Sequence, residues 1–286
     1  MKHFEYFEPT NVDETLSLLN QWKGDVKIIA GGTDLIPMMR DRLVTPKRVI
    51  DINKLSELDF IKETTEGIEM GALTRLRTIE TSPLIRERMP LLAEAAEQVA
   101  SIQVRNVGTI AGNLVNASPA ADLAPSLLVL DAIVRSRRTG GRRETPLSEF
   151  FTGVKETVLG NDELVTNIFV PRMLPDTGGA FLKVGKRSAL IISTASAASA
   201  ITLKHGKNKV RVALGSVAPT PVRAREVEDF LESHEISEKT IKEASDLVPN
   251  DISPITDHRS TAEYRKEVSK VLTKRALTKA FEMARR

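Results

Sequence analysis

Two short stretches concentrate the residue types that could do chemistry. In the first, an apolar run enters two glycines, a hydroxyl and a carboxylate: Ile28, Ile29, Ala30, Gly31, Gly32, Thr33, Asp34 and Leu35. Glycine removes the Cβ that would hold a phosphate away from the backbone, and successive N–H groups in such a turn can form an anion-binding nest. Asp34 works against a naked phosphate there unless its carboxylate points elsewhere. A plain glycine turn is the competing reading. The second stretch, from Thr109 through Ile110, Ala111, Gly112 and Asn113 to Pro125, crowds hydroxyls, amides and small residues together. That composition supplies neutral donors at close range, which suits a pyrophosphate. Asp122 precedes an apolar run, where it either caps a helix or accepts hydrogen bonds from a ribose.

Other constellations are excluded by spacing. His3, His205, His234 and His258 have no metal-ligand spacing and read as surface or core histidines. Gly179 to Arg187 ends in Gly-Lys-Arg, one residue too long for a P-loop and with no hydroxyl after the lysine. No G-x-G occurs, so the Rossmann fingerprint is absent, and no G-x-S-x-G elbow appears. Nothing here makes a self-sufficient hydrolase or metalloenzyme.

The elements that must position the two stretches follow from periodicity and punctuation. Val12 to Trp22 reads as an amphipathic helix capped near Asn11 or Asp13. Val26 to Ala30 reads as a buried strand ending at the glycine turn, Leu35 to Arg40 as one helical turn limited by Pro37, and Arg48 to Ile52 as a strand. A second lobe then spans Lys54 to about Pro175. It holds a strand at Gly67–Leu73, a helix at Leu91–Val99, a polar loop from Arg105 to Pro119, an apolar run at Leu123–Leu130, and strands at Ala132–Arg137 and Leu164–Val170. The prolines and glycines of Pro171 to Gly179 mark a linker. Strands near Ala180–Val184, Ala195–Leu203 and Val210–Leu214 precede helices near Glu226–Glu232, Glu238–Leu247 and Ala262–Arg286, an order expected of an α+β domain.

At 286 residues, with 41% hydrophobic and 28% charged, the chain can bury the cores of two domains. The net charge of +3 is too small for a nucleic-acid surface, so the basic runs Arg135 to Arg138 and Arg142-Arg143 read as solvated loops. With no cysteine, the chain by itself can hold neither a disulfide nor an iron–sulfur cluster. The start, Met1 to Glu5, lacks the apolar core of a signal peptide, and no run is long enough to span a membrane. A cytoplasmic protein is expected.

Taken together, the Ala30–Leu35 turn and the Thr109–Asp122 loop resemble the FAD-binding (medium) subunits of the xanthine dehydrogenase and carbon monoxide dehydrogenase family, the molybdenum hydroxylases. The likeness extends to Phe4-Glu5-Tyr6-Phe7-Glu8-Pro9, to Pro219–Ala224 and to Asp257–Arg265. It implies an α+β fold: an FAD-binding domain of the PCMH type at 1–176, in lobes of about 1–53 and 54–176, then a C-terminal domain of the CO dehydrogenase flavoprotein type at 177–286. It implies non-covalent FAD, with Ile28 to Leu35 contacting the phosphates and Thr109 to Asn113 closing on the pyrophosphate. Asp122 matches the acid near the adenosine end, and Val99 and Val165 match positions lining the cofactor. Lys183 matches a lysine that reaches the flavin, a strand-edge lysine in water being the alternative. Ile191 or Ile192 falls where a residue covers the isoalloxazine face. Ala111 departs from the usual glycine, a change expected to be tolerated with slightly looser FAD binding.

The resemblance also implies an oxidoreductase subunit that works only in a complex. Its partners are a large subunit with the molybdenum cofactor and a small subunit with [2Fe-2S] clusters, forming a heterotrimer paired as a dimer of heterotrimers. Electrons pass from the clusters to FAD and on to NAD, a quinone, ferredoxin or oxygen. Purines, other N-heteroaromatics, aldehydes and carbon monoxide all stay open as substrates, a purine or heteroaromatic being preferred on overall likeness. A stand-alone FAD-dependent oxidase and a cofactor-free scaffold subunit are the competing readings.

Overall fold

The computed structural model describes residues 1–187, 192–203 and 208–286. The first lobe is built on a three-stranded parallel sheet in which Arg48–Asp51 lies between Glu5–Phe7 and Val26–Ile29. Helix Val12–Trp22 makes the crossover. Asn11 caps it by accepting a 2.8 Å bond from the Glu14 amide, and Val12, Leu16 and Leu19 recur at helical spacing to fill its buried face.

The second lobe carries a five-stranded antiparallel sheet in the order Ile61–Glu63, Gly67–Gly71, Leu164–Pro171, Ile133–Arg138, Gly141–Pro146. Its central strand, Leu164–Pro171, bulges between Val165 and Asn167. Every residue of helix Leu123–Val129 is buried, which explains why that stretch is apolar all round. The basic run is not a solvated loop. Arg135, Arg137 and Arg138 pair with Glu144, Arg142 and Gly141 across a hairpin, and their charges are matched by carboxylates: Arg135 with Glu69 and Glu144, Arg137 with Asp13, Arg143 with Glu163.

The polar stretch from Arg105 is also not a loop throughout. Two six-residue helices, Ile102–Val107 and Ile110–Val115, occupy it. Each starts at a hydroxyl cap: Ser101 accepts from the Val104 amide at 3.2 Å and Thr109 from the Gly112 amide at 3.1 Å. Helices this short carry too few turns for an apolar period to emerge.

The C-terminal sheet is four-stranded and antiparallel, in the order Thr177–Val184, Ala195–Thr202, Lys209–Gly215, Val222–Arg223. All eight residues of Ala195–Thr202 are buried because both faces are covered. Alternation sends Phe181, Ala198, Ala200 and Ala213 into the core of the second lobe. Ala195, Ala197, Ile201, Val212 and Leu214 go into a separate core under helix Ala262–Ala284. Between the two sheets only Arg172–Asp176 lies outside strands, and Gly178, grouped with the linker by composition, is a packing residue. A Cβ on it would stand 2.0 Å from the Ala280 carbonyl oxygen of that helix.

Candidate functional site

The first glycine turn grows directly from the parallel sheet. The Ile52 amide donates to the Ile29 carbonyl at 3.1 Å, and the Asn53 side-chain amide then holds the Ala30 carbonyl at 2.8 Å. Asn53 is fixed in turn by Asp51 Oδ1, which accepts from the Asn53 amide at 2.8 Å and its Nδ2 at 2.7 Å. The other Asp51 oxygen accepts from the Tyr6 hydroxyl, a bond that pushes the Tyr6 pKa up to about 12. Sequence reasoning missed Asn53. Its signal was a short Asp-x-Asn turn closing a strand.

Gly32 adopts φ +66°, a left-handed conformation that turns the chain, and its carbonyl accepts from the Ile36 amide at 3.0 Å to start helix Leu35–Arg40. Among the hydrogen bonds of the described residues, none is donated by the amides of Gly31, Gly32, Thr33 or Asp34. Ile28, Ile29, Ala30, Gly31, Gly32, Thr33 and Leu35 are all half-buried, and Asp34 is exposed. Four consecutive unspent donors beside half-covered apolar side chains fit an elongated anionic ligand with apolar parts.

The second turn offers different atoms. The amides of Ile110 and Ala111 donate to the carbonyls of Thr74 and Ala72, at 3.0 and 3.3 Å. Those of Gly112 and Asn113 donate to Thr109, through Oγ1 at 3.1 Å and the carbonyl at 3.0 Å. These four amides are therefore spent. What the turn leaves free is the side chain of Asn113, whose Oδ1 is buried with no partner, and the exposed backbone of Gly112. Ala111 is buried within the helix and is not among the positive-φ residues, so its methyl meets no backbone constraint.

The two turns touch. A Cβ on Gly31 would lie 2.2 Å from the Val107 carbonyl oxygen and 2.8 Å from the Gly108 Cα, immediately before the second turn. Helix Ile102–Val107 is anchored for this contact by a second residue invisible to motif reading. Buried Arg105 donates to Glu80 at 2.7 Å and to the Val99 carbonyl at 2.9 Å. No local pattern announces a pair 25 positions apart.

Asp122 starts helix Leu123–Val129 but makes no capping bond to it. Its carboxylate is 5% exposed and bridges to the C-terminal domain, accepting from Lys183 Nζ at 2.8 Å and from the Ser193 hydroxyl at 2.5 Å. Burial pushes the Asp122 carboxyl above its usual range, against the pull of Lys183 and Ser193. Lys183 also donates to the Gln98 carbonyl at 2.5 Å, and its side chain is 6% exposed, so it is not a strand-edge lysine in water. Val99 and Val165 are buried, at 8% and 4% exposure. Ile192 is exposed, and Ile191 lies outside the described residues. A cavity of about 520 Å³ elsewhere, walled by Leu203, Ile236, Phe281 and Arg285, belongs to the C-terminal domain and touches none of these groups. Among the described residues no helix is long and apolar enough to cross a membrane, and no cluster of side chains is arranged to hold a metal.

A glycine turn with four unspent amides, abutting the residues that lead into a second turn, defines a two-lobed fold with an open anion-binding edge at the seam. Comparison with known proteins makes this specific. Residues 2–173 match the FAD binding domain in molybdopterin dehydrogenase, and residues 180–280 match the CO dehydrogenase flavoprotein C-terminal domain. The chain is 35% identical over 274 residues to the glyceraldehyde dehydrogenase medium chain of Sulfolobus acidocaldarius, covering 96% of each. It is 34% identical to the carbon monoxide dehydrogenase medium chain of Hydrogenophaga pseudoflava, covering 97% of each. A solved structure of carbon monoxide dehydrogenase from that organism superposes with a TM-score of 0.95, covering 99% of this chain and 98% of that one at 35% identity. The chain belongs to the family of FAD-binding medium subunits of the molybdenum hydroxylases, oxidoreductase subunits of the xanthine and CO dehydrogenase type.

Proposed function

We propose that this chain seats FAD non-covalently between its two glycine turns and relays electrons from a [2Fe-2S] partner subunit to an external acceptor such as NAD. The observation that carries the reading is the contact of Gly31 with Val107 and Gly108, which sets the four unspent amides of Gly31–Asp34 against the residues that lead into the second turn. When bound, FAD supplies the one- and two-electron redox chemistry. The chain's own residues bind and orient. The Gly31–Asp34 amides receive the diphosphate, the side-chain NH₂ of Asn113 is the donor the second lobe can add, and Asp122 keeps acceptor capacity for a ribose hydroxyl beyond its bonds to Lys183 and Ser193. Lys183, held by Asp122 and the Gln98 carbonyl, places a fixed cation where the C-terminal domain meets the FAD-binding domain. With no cysteine anywhere and no histidine in either turn, neither turn offers a side chain of the kind used to attach a flavin covalently.

The medium-chain relatives imply a large and a small partner subunit, and we infer a heterotrimer, paired as a dimer of heterotrimers, with the molybdenum cofactor and iron–sulfur clusters on the partners. Purification with and without the co-expressed partners tests the whole reading. The expected result is one FAD per chain, released intact by denaturation, and rapid bleaching of its visible bands on mixing with the reduced [2Fe-2S] partner. A colourless chain that takes up no added FAD overturns it.

A further inference from the structure

An amide serves an anion only if it points at it, and a hydrogen-bonded chain behind the first turn fixes the direction of one of them. The parallel ladder closes with the Ile52 amide on the Ile29 carbonyl at 3.1 Å. Beyond that bond the two strands part, and the next carbonyl, of Ala30, is caught by a side chain instead: Asn53 Nδ2 donates to it at 2.8 Å. The Ala30 carbonyl and the Gly31 N–H belong to one planar trans peptide group, so they point in opposite directions. Holding the oxygen toward Asn53 aims the Gly31 N–H the other way, and among the described residues that N–H donates to nothing.

The chain has one polarity. Asn53 could present either end of its amide, and Asp51 decides which. Its Oδ1 accepts from the Asn53 backbone amide at 2.8 Å and from Nδ2 at 2.7 Å. A carboxylate only accepts, so the NH₂ end must face it, leaving one proton for Asp51 and one for Ala30. The other Asp51 oxygen is held by the Tyr6 hydroxyl, from the opposite edge strand of the three-stranded sheet. Tyr6 and Asn53 are exposed and Asp51 half-buried, so the chain adds little to the core. Water can replace the bond to the Ala30 oxygen, but untethered water does not fix its direction.

We infer that Asn53, oriented by Asp51 and Tyr6, is a positioning residue that aims the Gly31 amide at the FAD diphosphate. This rests on the cofactor reading above and assigns the preorganisation of that seat to side chains that never touch the ligand.

The test is FAD affinity of the deflavinated full chain, read from quenching of FAD fluorescence, with thermal melting of the same chain and the phosphorus NMR spectrum of bound FAD. N53A is expected to weaken FAD about tenfold, the effect of one misdirected hydrogen bond to a charged group. It should move a phosphorus signal while leaving the visible bands of the flavin and the melting of the deflavinated chain nearly unchanged. D51N should weaken FAD about fivefold in the wild type and not further in N53A, because it acts through Asn53; independent structural roles would add. Y6F removes only an exposed hydroxyl and serves should N53A fail to fold, with an expected loss of about threefold. N53A or Y6F binding as tightly as wild type, phosphorus signals that do not move in N53A, or a D51N effect of equal size with and without Asn53 overturns the inference while leaving the cofactor reading intact. A wild-type chain that binds no FAD overturns both.

Discussion

The Gly31→Ala substitution probes the contact on which the proposed cofactor seat depends. The new methyl would sit 2.2 Å from the Val107 carbonyl oxygen and 2.8 Å from the Gly108 Cα. Ordinary carbon–oxygen contacts begin near 3.4 Å, so the turns must separate by about 1 Å. Both obstacles are backbone, so no side-chain rotation relieves the clash, and the strain of overpacking, about 1–3 kcal/mol, falls on the seam between the lobes. A displacement of about 1 Å carries an amide donor from about 2.9 Å to beyond hydrogen-bonding distance of an anion held by the opposite turn. Losing two such bonds, at about 1.5 kcal/mol each, amounts to about a hundredfold in FAD affinity. FAD titration alongside thermal melting reads both effects. Gly140→Ala is the control. That glycine also has positive φ, at +75°, but open space around it, so its variant should lose about 1–2 kcal/mol of stability and no FAD affinity. A Gly31→Ala protein that melts lower but binds FAD as the wild type does would show that the abutting turns are not the cofactor seat.

Three further expectations follow from the same geometry. Asp122→Ala removes the carboxylate that balances the buried Lys183 ammonium and should cost about 3–5 kcal/mol in chemical denaturation, whereas Asp122→Asn combined with Lys183→Met should cost much less. Ala111→Gly, which restores the glycine usual in the family, should destabilise the chain by about 1 kcal/mol because the residue is helical, without tightening FAD. For Asp257, burial alone would raise the carboxyl, but the Arg259 and Ser260 amides and the Arg265 guanidinium outweigh it and hold the pKa down to about 2. A depressed folded-state pKa stabilises fully above the unfolded value near 3.8 and loses that contribution as pH falls toward about 2. Asp257→Asn should therefore flatten the decline of melting temperature across that window, and an unchanged slope would refute the assignment.

Much of this was legible in the residues because the relevant signals are local. Asn11 before an apolar period and Gly31-Gly32 at a strand end each act within a few positions. What escaped was long-range or too short to repeat. Helices Ile102–Val107 and Ile110–Val115 are too brief to show a period, so their polar residues read as loop. Arg135, Arg137 and Arg143 read as solvated because their partners Glu69, Asp13 and Glu163 are scattered through the chain. Asn53 and Lys155 bear on the turns only through folding: one holds the Ala30 carbonyl, the other reaches Asn116 from a hairpin tip 39 residues away. Gly178 and Gly179 carry the composition of a linker, yet Gly178 lies in a strand to admit a helix.

The placement of Lys183 shows why three units, and not two, are needed. Its strand belongs to the C-terminal sheet, but the carboxylate and carbonyl that hold it, Asp122 and Gln98, belong to the second lobe. Such a junction keeps its geometry only if the sheet cannot slide on the lobe. The packing provides this: Phe181, Ala198, Ala200 and Ala213 share one core with Leu91, Ala124 and Leu127, so relative motion would expose apolar surface from both units at once. Polar ties reinforce it, with Lys279 on Glu94, and Lys209, Arg211 and Arg223 converging on Asp131. On the proposed function, the bound cofactor needs neither a moving lid nor a general base. It needs fixed distances and a fixed field, and a lysine locked into a buried ion pair on a shared core supplies both.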